Sequence, residues 1–536
     1  MVREAGRNAL PGALRRARSA GHRVARRALD AADGPGPDPR ILSARQHDRR
    51  SSPPLHPAPP QDASGLAGVT GAAARWRWLA VLLPGIALWL LPLPGLTAPQ
   101  RHLLAVFVAT IVALVAHPVP MGVSALSAMT LLALTGTLPP ARVLSGFSNL
   151  TVWLVFSAFL FARAVTVTRV GQRIAYLFIR RFGRSPLSLG YSLAAADVAL
   201  APFVPSDTAR GGGIMYPITR SVAEASGSSP GPTAGRLGAF LMLVSFHATY
   251  TASGMFLTGM AANPLIAEFA RKIVGVELTW VRWLAGAIVP GFLTLALVPL
   301  LIRRLVPPTL ADTAPARTHA REALAELGPM KPVERRLAVV MLAVMAGWVS
   351  SPWHGIPNTF VALAGVAALL LAGVITWDDL LAERRAWDAL IWFAPLLMMA
   401  DALQETGVIG VLSGSLFAGL HGLPWIAALP ALLVAYLYLH YGFASMTAHV
   451  TALYPGFLAA ALAAGAPPLL AAFGLAYYSN LDASLTHYGT GSAPVFFGAG
   501  YVSQGTWWRV GFLVSLLDLL IWLAGGMLWW KLLGWW

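Results

Sequence analysis

The chain has 536 residues, of which 56% are hydrophobic and only 12% are charged, and its formal net charge is +16. Soluble domains carry about 25% charged residues, so this composition excludes a soluble protein. The absence of cysteine excludes disulfide frameworks and thiolate metal sites. We assign the positive charge to a basic leader and to cytoplasmic loops, and we do not expect a nucleic-acid partner.

Residues 1–75 differ in composition from the rest of the chain. They are rich in Arg, Ala, Pro and Ser and contain no Lys. Three interpretations are open: a disordered cytoplasmic tail, an organellar transit peptide, or a start codon placed too early. Transit peptides are poor in acidic residues, whereas several acids occur here. The composition therefore favours a disordered basic leader or an over-extended start.

From Trp76 to the C-terminus, apolar runs recur that are long enough to cross a bilayer core of ~30 Å. We predict an all-α polytopic membrane protein with about 11 transmembrane helices and two re-entrant hairpins, one in each of two inverted repeats. The first membrane half is predicted at 76–303, with a re-entrant hairpin at 187–225 and a broken helix at 234–272. A charged stretch at 304–334 is predicted to be a cytoplasmic linker.

The second membrane half, at 335–536, repeats this order of elements. It contains a short segment at 407–421, a re-entrant hairpin at 424–464 and a broken helix at 467–500. Most Arg residues of the loops fall on one side when the N-terminus is placed in the cytoplasm, as the positive-inside rule requires. In this orientation the two hairpins enter the membrane from opposite sides, which is the arrangement of inverted repeats.

The two hairpins carry matching polar sequences, which we name tip 1 (206–210) and tip 2 (445–449). Tip 1 reads Ser-Asp-Thr-Ala-Arg and tip 2 reads Ser-Met-Thr-Ala-His, and a Tyr-Pro pair follows each. Paired, interrupted hydrophobic segments indicate the binding site of a transporter. Back-bonding to the helix is the alternative role for such hydroxyls. The hydroxyls that can donate to a carboxylate belong to Ser206, Thr208, Ser445 and Thr447.

Each long helix behind a hairpin is interrupted, at break 1 (251–264) and break 2 (479–491). Small residues in a membrane helix can serve helix packing alone, but break 2 is too rich in hydroxyl and amide groups for that explanation. Freed backbone carbonyls at such breaks can coordinate a cation. In break 1, Gly254 and Thr258 are candidates for coupling to a cation.

These motifs resemble the divalent anion/sodium symporter (DASS) family. The similarity extends over residues 76–536 and is carried by the tip 1 sequence and by Leu-Thr-His-Tyr-Gly-Thr-Gly-Ser-Ala-Pro at 485–494. The branch that it most resembles contains citrate/succinate and tartrate exchangers and plastid 2-oxoglutarate/malate translocators. The resemblance implies an elevator-type homodimeric carrier whose tips bind substrate carboxylates. It also implies that break 2 lines the substrate pocket with Asn480, Thr486, His487 and Thr490.

Two acids depart from the family pattern. Asp207 replaces the central Asn of tip 1, and Asp482 stands where that branch has an uncharged residue. An acid at the membrane midplane costs about 2.5–3.5 kcal/mol and is functional by default. One hypothesis pairs Asp207 with Arg210 and leaves Arg210 partly open to the anion. A second has Asp207 titrate and couple transport to protons, and a third is weakened or altered anion binding.

Other titratable residues receive structural interpretations. Asp197 is expected to be a satisfied core acid, and His247 and His440 to be packed, while the role of His449 in tip 2 is left open. No set of His, Asp and Glu residues has metal-ligand spacing along the sequence, so we expect no metal site.

We therefore predict a secondary transporter of di- or tricarboxylates, such as malate, succinate, 2-oxoglutarate, tartrate or citrate, that works as an exchanger. The alternatives are a symporter coupled to Na⁺ or H⁺ and a carrier of sulfate-like oxyanions. An enzyme is excluded because we find no nucleophile–base pair or metal cluster. We expect no cofactor, and we expect a multi-pass protein of a bacterial inner membrane with a cytoplasmic N-terminus.

Overall fold

A computed structural model describes residues 72–408, 411 and 423–536. The predicted leader at 1–75 thus lies almost entirely outside the described residues, as does most of the short segment at 407–421. Where the chain is described, it consists of helices joined by turns, with no β-strand. The predicted all-α class is confirmed.

The α-helices of the first part of the chain lie between residues 72 and 405. They are α1 (Ala72–Leu90), α2 (Ala98–Ala116), α3 (Met121–Leu134), α4 (Pro140–Leu144), α5 (Leu150–Thr168), α6 (Val170–Phe182), α7 (Pro186–Leu200), α8 (Tyr216–Ala225), α9 (Gly238–Met255), α10 (Ala262–Val274), α11 (Trp280–Leu305), α12 (Ala314–Leu327), α13 (Pro332–Val349), α14 (Ser351–His354), α15 (Asn358–Leu371), α16 (Trp377–Ala382) and α17 (Arg384–Glu405).

The α-helices of the last part begin after the undescribed segment. They are α18 (Trp425–Leu439), α19 (Met446–Ala463), α20 (Pro468–Leu481), α21 (Ala493–Gly498), α22 (Gln504–Leu520) and α23 (Met527–Leu532). Two π-helical stretches continue into α-helices, one at Thr208–Met215 before α8 and one at Ile521–Gly526 before α23.

Seven helices in the described part of the chain are long and apolar enough to cross a membrane. Helices suit the bilayer because they satisfy their backbone polar groups internally. Three further apolar helices, α3, α7 and α15, are shorter. Two of the seven, Trp425–Gly442 and Met446–Ala463, are arms of the predicted second hairpin, so five of the predicted 11 crossings are among them. The two predicted broken helices are each divided into shorter helices. Large apolar side chains such as Leu134 (81% exposed) and Leu371 (91% exposed) point outward, as lipid-facing residues do.

Both segments predicted as hairpins consist of two helices separated by a non-α stretch. In the first segment, α7 ends at Leu200 and the π-helix begins at Thr208. In the second, α18 ends at Leu439, a short 3₁₀ turn follows, and α19 begins at Met446. The inverted orientation of the two segments stays a prediction.

The same serine cap starts the second helix of each segment. Ser206 Oγ accepts a hydrogen bond from the N–H of Ala209 at 3.2 Å, and Ser445 Oγ accepts one from the N–H of Ala448 at 3.3 Å. Such caps satisfy an N–H group that has no partner within the helix. The repeated Ser-x-Thr-Ala sequence is therefore also a repeated local geometry.

The two helix breaks lie directly against each other. Asn480 Nδ2 of break 2 donates to Asn263 Oδ1 of break 1 at 3.0 Å, and Asn263 Nδ2 donates to the carbonyl oxygens of Ser253 and Phe256. A Cβ atom at Gly254 would lie 3.1 Å from the Cβ of Asn480, so glycine permits this close approach. Break 1 and break 2 form one polar layer inside the protein.

The predicted linker between the halves contains α12, which packs against α6 and α8. Two polar contacts attach its ends to the first half. Thr313 Oγ1 donates to the carbonyl of Gly183 at 2.9 Å, and Glu334 accepts hydrogen bonds from the guanidinium of Arg173. The linker is thus a packed element of the fold.

Candidate functional site

Tip 1 is docked on the C-terminal end of break 2. The Asp207 carboxylate is buried (7% exposed), and its Oδ2 accepts hydrogen bonds from the hydroxyls of Thr490 and Ser492. A Cβ atom at Gly491 would lie 2.2 Å from Thr208 Oγ1. Only glycine therefore allows tip 1 to approach this closely.

Arg210 is fully buried, and each N–H group of its guanidinium has a hydrogen-bond acceptor within the protein. Its Nε donates to Asp197 Oδ1 at 2.5 Å. A guanidinium has five N–H groups, and the four of the terminal nitrogens also have partners. These are the carbonyl oxygens of Val204, Gly259 and Thr249 and the hydroxyl of Ser253.

These contacts correct the prediction for Arg210. Its ion-pair partner is Asp197, 13 residues earlier in the chain, and not Asp207. The hypothesis of an Asp207–Arg210 pair that leaves Arg210 partly open to the anion is therefore wrong. A buried arginine needs a carboxylate together with hydrogen bonds to its remaining N–H groups, and α7 and break 1 supply both. Asp197 is the buried core acid that we expected, but it is satisfied only in part, because its Oδ1 pairs with Arg210 while its Oδ2 has no hydrogen-bond partner.

A corresponding buried group adjoins tip 2, the His–Asp cluster, in which His449 of tip 2 contacts His440 and also Asp482 of break 2. His449 Nδ1 lies 2.5 Å from Asp482 Oδ2 and 2.9 Å from His440 Nδ1. Because the Gly489 carbonyl, 2.8 Å away, can only accept, His440 Nε2 carries a proton. In a neutral ring His440 Nδ1 is then an acceptor, and His449 Nδ1 donates the proton that the cluster shares.

The His–Asp cluster also corrects the expectation about metal ligands. One atom from each of the three residues lies within 4.8 Å of the other two, a spacing that permits a shared metal ion. Sequence spacing concealed the set, because break 2 returns to the start of the second hairpin only in three dimensions. His449 Nε2 and Asp482 Oδ1 are buried without a hydrogen-bond partner. We predicted neither that these three residues form a cluster nor that His440 takes part in one.

Aromatic rings enclose the cluster. The ring of Tyr436 is stacked on His449 with centroids 4.4 Å apart, and the ring of Phe443 lies on the same imidazole at 5.0 Å. Tyr436 OH lies 2.8 Å from Ser479 Oγ. The imidazole of His449 is therefore packed between two aromatic rings and has no exposure to solvent.

Arg210 and His449 occupy matching positions, each four residues after the serine of its tip. Each is fully buried and contacts a buried carboxylate, Asp197 or Asp482. The arginine always carries a positive charge, whereas the histidine can gain or lose one. The two tips thus share a design but differ in whether their cation is permanent.

Break 2 contains buried polar atoms that have no hydrogen-bond partner in the protein. Thr486 Oγ1 and Asn480 Oδ1 are buried without a hydrogen-bond partner, and buried polar atoms without partners are rare in folded proteins. His487 Nδ1 instead accepts a hydrogen bond from Trp508 Nε1 at 2.9 Å. Since tip 1 contacts one end of break 2 and tip 2 the other, these atoms lie on the segment that joins the tips.

The other predicted residues have the following surroundings. Ser206, Thr208, Ser445 and Thr447 are partly exposed. In break 1, the Gly254 carbonyl accepts from Trp283 Nε1 at 2.8 Å. Thr258 Oγ1 donates to the Pro202 carbonyl at 2.7 Å and accepts from Trp280 Nε1 at 3.2 Å. Roles for Gly254 and Thr258 in cation coupling stay predictions.

Asp518 is a buried acid of the membrane part that we did not predict as a candidate. Asp518, in α22, accepts a hydrogen bond from Tyr250 OH at 3.1 Å, and this hydroxyl lies 2.8 Å from His247 Nδ1. Asp518 is fully buried in a helix that can span the membrane. An acid inside such a helix was itself a sufficient signal.

Comparisons with known proteins identify the family of the chain. The family model described as "Sodium:sulfate symporter transmembrane region" matches residues 72–536. The proposed malate transporter YflS of Bacillus subtilis (strain 168) is 47% identical over 472 residues, which are 88% of this chain and 99% of YflS. The chloroplastic dicarboxylate transporter 1 of Arabidopsis thaliana is 42% identical over 489 residues, 90% of this chain and 86% of that protein.

A solved structure shows the same fold. The YdaH transporter of Alcanivorax borkumensis superposes with a TM-score of 0.52 at 16% sequence identity, over 72% of this chain and 87% of that chain. At this identity the likeness concerns the fold alone. The relatives are transporters and not enzymes, which confirms the predicted class of multi-pass membrane transporter. The chain belongs to the sodium:sulfate symporter family, which is the divalent anion/sodium symporter (DASS) family of the sequence analysis.

Proposed function

We propose that this transporter carries di- or tricarboxylates and exchanges one carboxylate for another across the membrane. The named substrates of its relatives, malate and dicarboxylates, support the substrate class. The tips support the location of the site, because each begins a helix with a capped N-terminus and hydroxyl groups, which favour anion binding.

The observation that carries the exchange mechanism is the position of Arg210. Its guanidinium donates to the carbonyl oxygens of Val204, Gly259 and Thr249. Carbonyls freed at a helix break are the groups that coordinate a coupling cation in transporters with broken helices. In this protein Arg210 uses the carbonyl oxygens of Val204 and Gly259, which lie outside the α-helices, together with that of Thr249 inside α9. The charge of Arg210 balances Asp197, and its N–H groups occupy carbonyl oxygens that Na⁺ would otherwise need, so we infer a carrier that binds no Na⁺ at this place.

The test is counter-transport by purified protein in proteoliposomes. Uptake of labelled malate is measured into vesicles that contain unlabelled malate or succinate and into vesicles that contain neither. Exchange predicts rapid uptake only into loaded vesicles. Equal uptake into empty vesicles would contradict the exchange mechanism, and no uptake of any di- or tricarboxylate would contradict the substrate class.

The His–Asp cluster favours a second candidate function, proton-coupled symport. Its three titratable side chains are fully buried at tip 2, where a proton taken up with the substrate would neutralise charge. Imposing a pH gradient on empty vesicles distinguishes the two functions, because only symport predicts gradient-driven uptake. Excess sulfate, added as a competitor, tests the oxyanion carrier that the family description suggests.

The proposed function includes an elevator-type movement in a homodimer, with the N-terminus in the cytoplasm of a bacterium. The resemblance to the exchanger branch supports the elevator movement and the homodimer. The distribution of Arg in the loops supports the cytoplasmic N-terminus, and the relative from Bacillus subtilis supports a bacterial membrane. The chain contains no cysteine, so single cysteines introduced at Ser206 or Ser445 can be labelled from either side of the membrane. An elevator movement predicts labelling that alternates with the substrate gradient, and a site that is always accessible from one side would contradict it.

A further inference from the structure

We propose that Asp207 makes the tip 1 end of the substrate site a subsite for a hydrogen-bond-donating group. The transporter then selects dicarboxylates that bear a hydroxyl or an ammonium group over the unsubstituted acid. This inference rests on the proposed function and names the substrate chemistry within it.

The hydroxyl groups around Asp207 are already engaged as hydrogen-bond donors. A hydroxyl has one proton to donate. Both Thr490 and Ser492 donate theirs to Asp207 Oδ2, and Thr208 Oγ1 is directed toward Asp207 Oδ1 at 3.5 Å. The hydroxyls of Thr490 and Ser492 are thus occupied by a carboxylate of the protein and cannot donate the same protons to a substrate carboxylate.

The carboxylate of Asp207 is not balanced by an ion pair. None of the ion pairs among the described residues includes Asp207. The cationic members of those pairs are Arg142, Arg163, Arg173, Arg210, Arg220, Arg271, Lys272, His440 and His449. The nearest cation in sequence, Arg210, is committed to Asp197. A second carboxylate brought close to Asp207 would meet repulsion between like charges in a buried setting.

The carboxylate of Asp207 can accept more hydrogen bonds than the protein gives it. A carboxylate offers about four lone-pair sites. Oδ2 of Asp207 accepts two hydrogen bonds, while Oδ1 has the long contact with Thr208. A ligand group at Oδ1 must therefore donate a proton, as a hydroxyl or an ammonium group does.

Tip 2 has the complementary chemistry. Thr447 is partly exposed, and a negatively charged side chain is absent from tip 2, where Met446 corresponds to Asp207. The N-terminus of α19 adds a partial positive charge beside it. A substrate with a carboxylate at tip 2 and a proton donor facing Asp207 satisfies both ends of the site.

The experiment compares three acids of equal chain length as competitors of labelled substrate in proteoliposomes: succinate, malate and aspartate. Malate adds a hydroxyl to succinate, and aspartate adds an ammonium group. We expect malate or aspartate to compete about tenfold better than succinate, since a hydrogen bond to a charged group contributes on that scale. Asp207→Asn, which preserves shape and removes the charge, should bring the three acids to within about threefold of each other.

Asp378→Asn is the matched control, because it removes the same charge from an exposed position and should leave the preference unchanged. Equal competition by succinate, malate and aspartate in the wild type would overturn the inference. It would also be overturned if Asp207→Asn retained the wild-type preference. The wild-type series stands on its own if the variant does not fold. If none of the three acids competes, the inference is overturned, whereas the proposed function fails only if no di- or tricarboxylate is taken up.

Discussion

Arg210→Met is the most informative single substitution in this protein. It removes the guanidinium and keeps an unbranched apolar side chain in a fully buried position. The Asp197 carboxylate, 1% exposed, would then be buried without its cation. Removing one partner of a buried pair costs about 3–5 kcal/mol, so we expect the free energy of unfolding to fall by about this amount.

The assay is reversible unfolding in mixed detergent–SDS micelles, followed by the fluorescence of the 19 tryptophans. A double-mutant cycle with Asp197→Asn isolates the pair. Because the double variant leaves no unpaired charge, it should be more stable than Arg210→Met alone, with a coupling free energy of about 2 kcal/mol or more. Arg220→Met is the control, since Arg220 forms an exposed pair with Glu224 and such pairs contribute at most about 1 kcal/mol.

Two results would refute this reasoning. The first is an Arg210→Met variant whose free energy of unfolding is within about 1 kcal/mol of the wild-type value, as for an exposed pair. The second is a double variant that is no more stable than Arg210→Met. Either result would show that the Arg210–Asp197 contact does not stabilise the unit formed by tip 1 and break 1.

Three further predictions concern the site. Thr447→Ala should raise the half-saturation concentration of substrate about tenfold at unchanged membrane expression, and unaltered uptake kinetics would remove Thr447 from the ligands. Gly491→Ala should slow exchange and destabilise the protein by about 1–3 kcal/mol, because its Cβ would lie 2.2 Å from a hydroxyl oxygen of tip 1. Gly498→Ala, with no atom within 4 Å of the new Cβ, should be silent in the same thermal and transport assays. Asp482→Asn should abolish any uptake driven by a pH gradient, and persistence of that uptake would exclude the His–Asp cluster as its proton site.

Much of the architecture was predictable from local sequence. A bilayer permits few backbone conformations, so the apolar runs identified membrane helices. The serines at positions 206 and 445 marked the starts of the helices that they cap. The family motif at 485–494 identified break 2, the segment that both tips contact.

The partners of the charged residues were less predictable, because they depend on three-dimensional contacts. Proximity in sequence suggested that Arg210 pairs with Asp207. In the fold, however, Asp197 of α7 is the residue that accepts the hydrogen bond from Arg210 Nε. The His–Asp cluster joins residues that are 33 and 42 positions apart, and sequence spacing gives no sign of that contact. Asp518 could have been found, since it interrupts an otherwise apolar helix.

The most direct test of the proposed exchange mechanism is the uptake of labelled malate into malate-loaded proteoliposomes with choline in place of Na⁺ and equal pH on both sides. We predict uptake as fast as in Na⁺ buffer, because Arg210 already occupies the carbonyl oxygens of Val204 and Gly259, which we propose are then closed to a coupling ion. It also predicts little uptake into unloaded vesicles under either condition. Uptake that stops without Na⁺ or without a pH gradient would contradict the account.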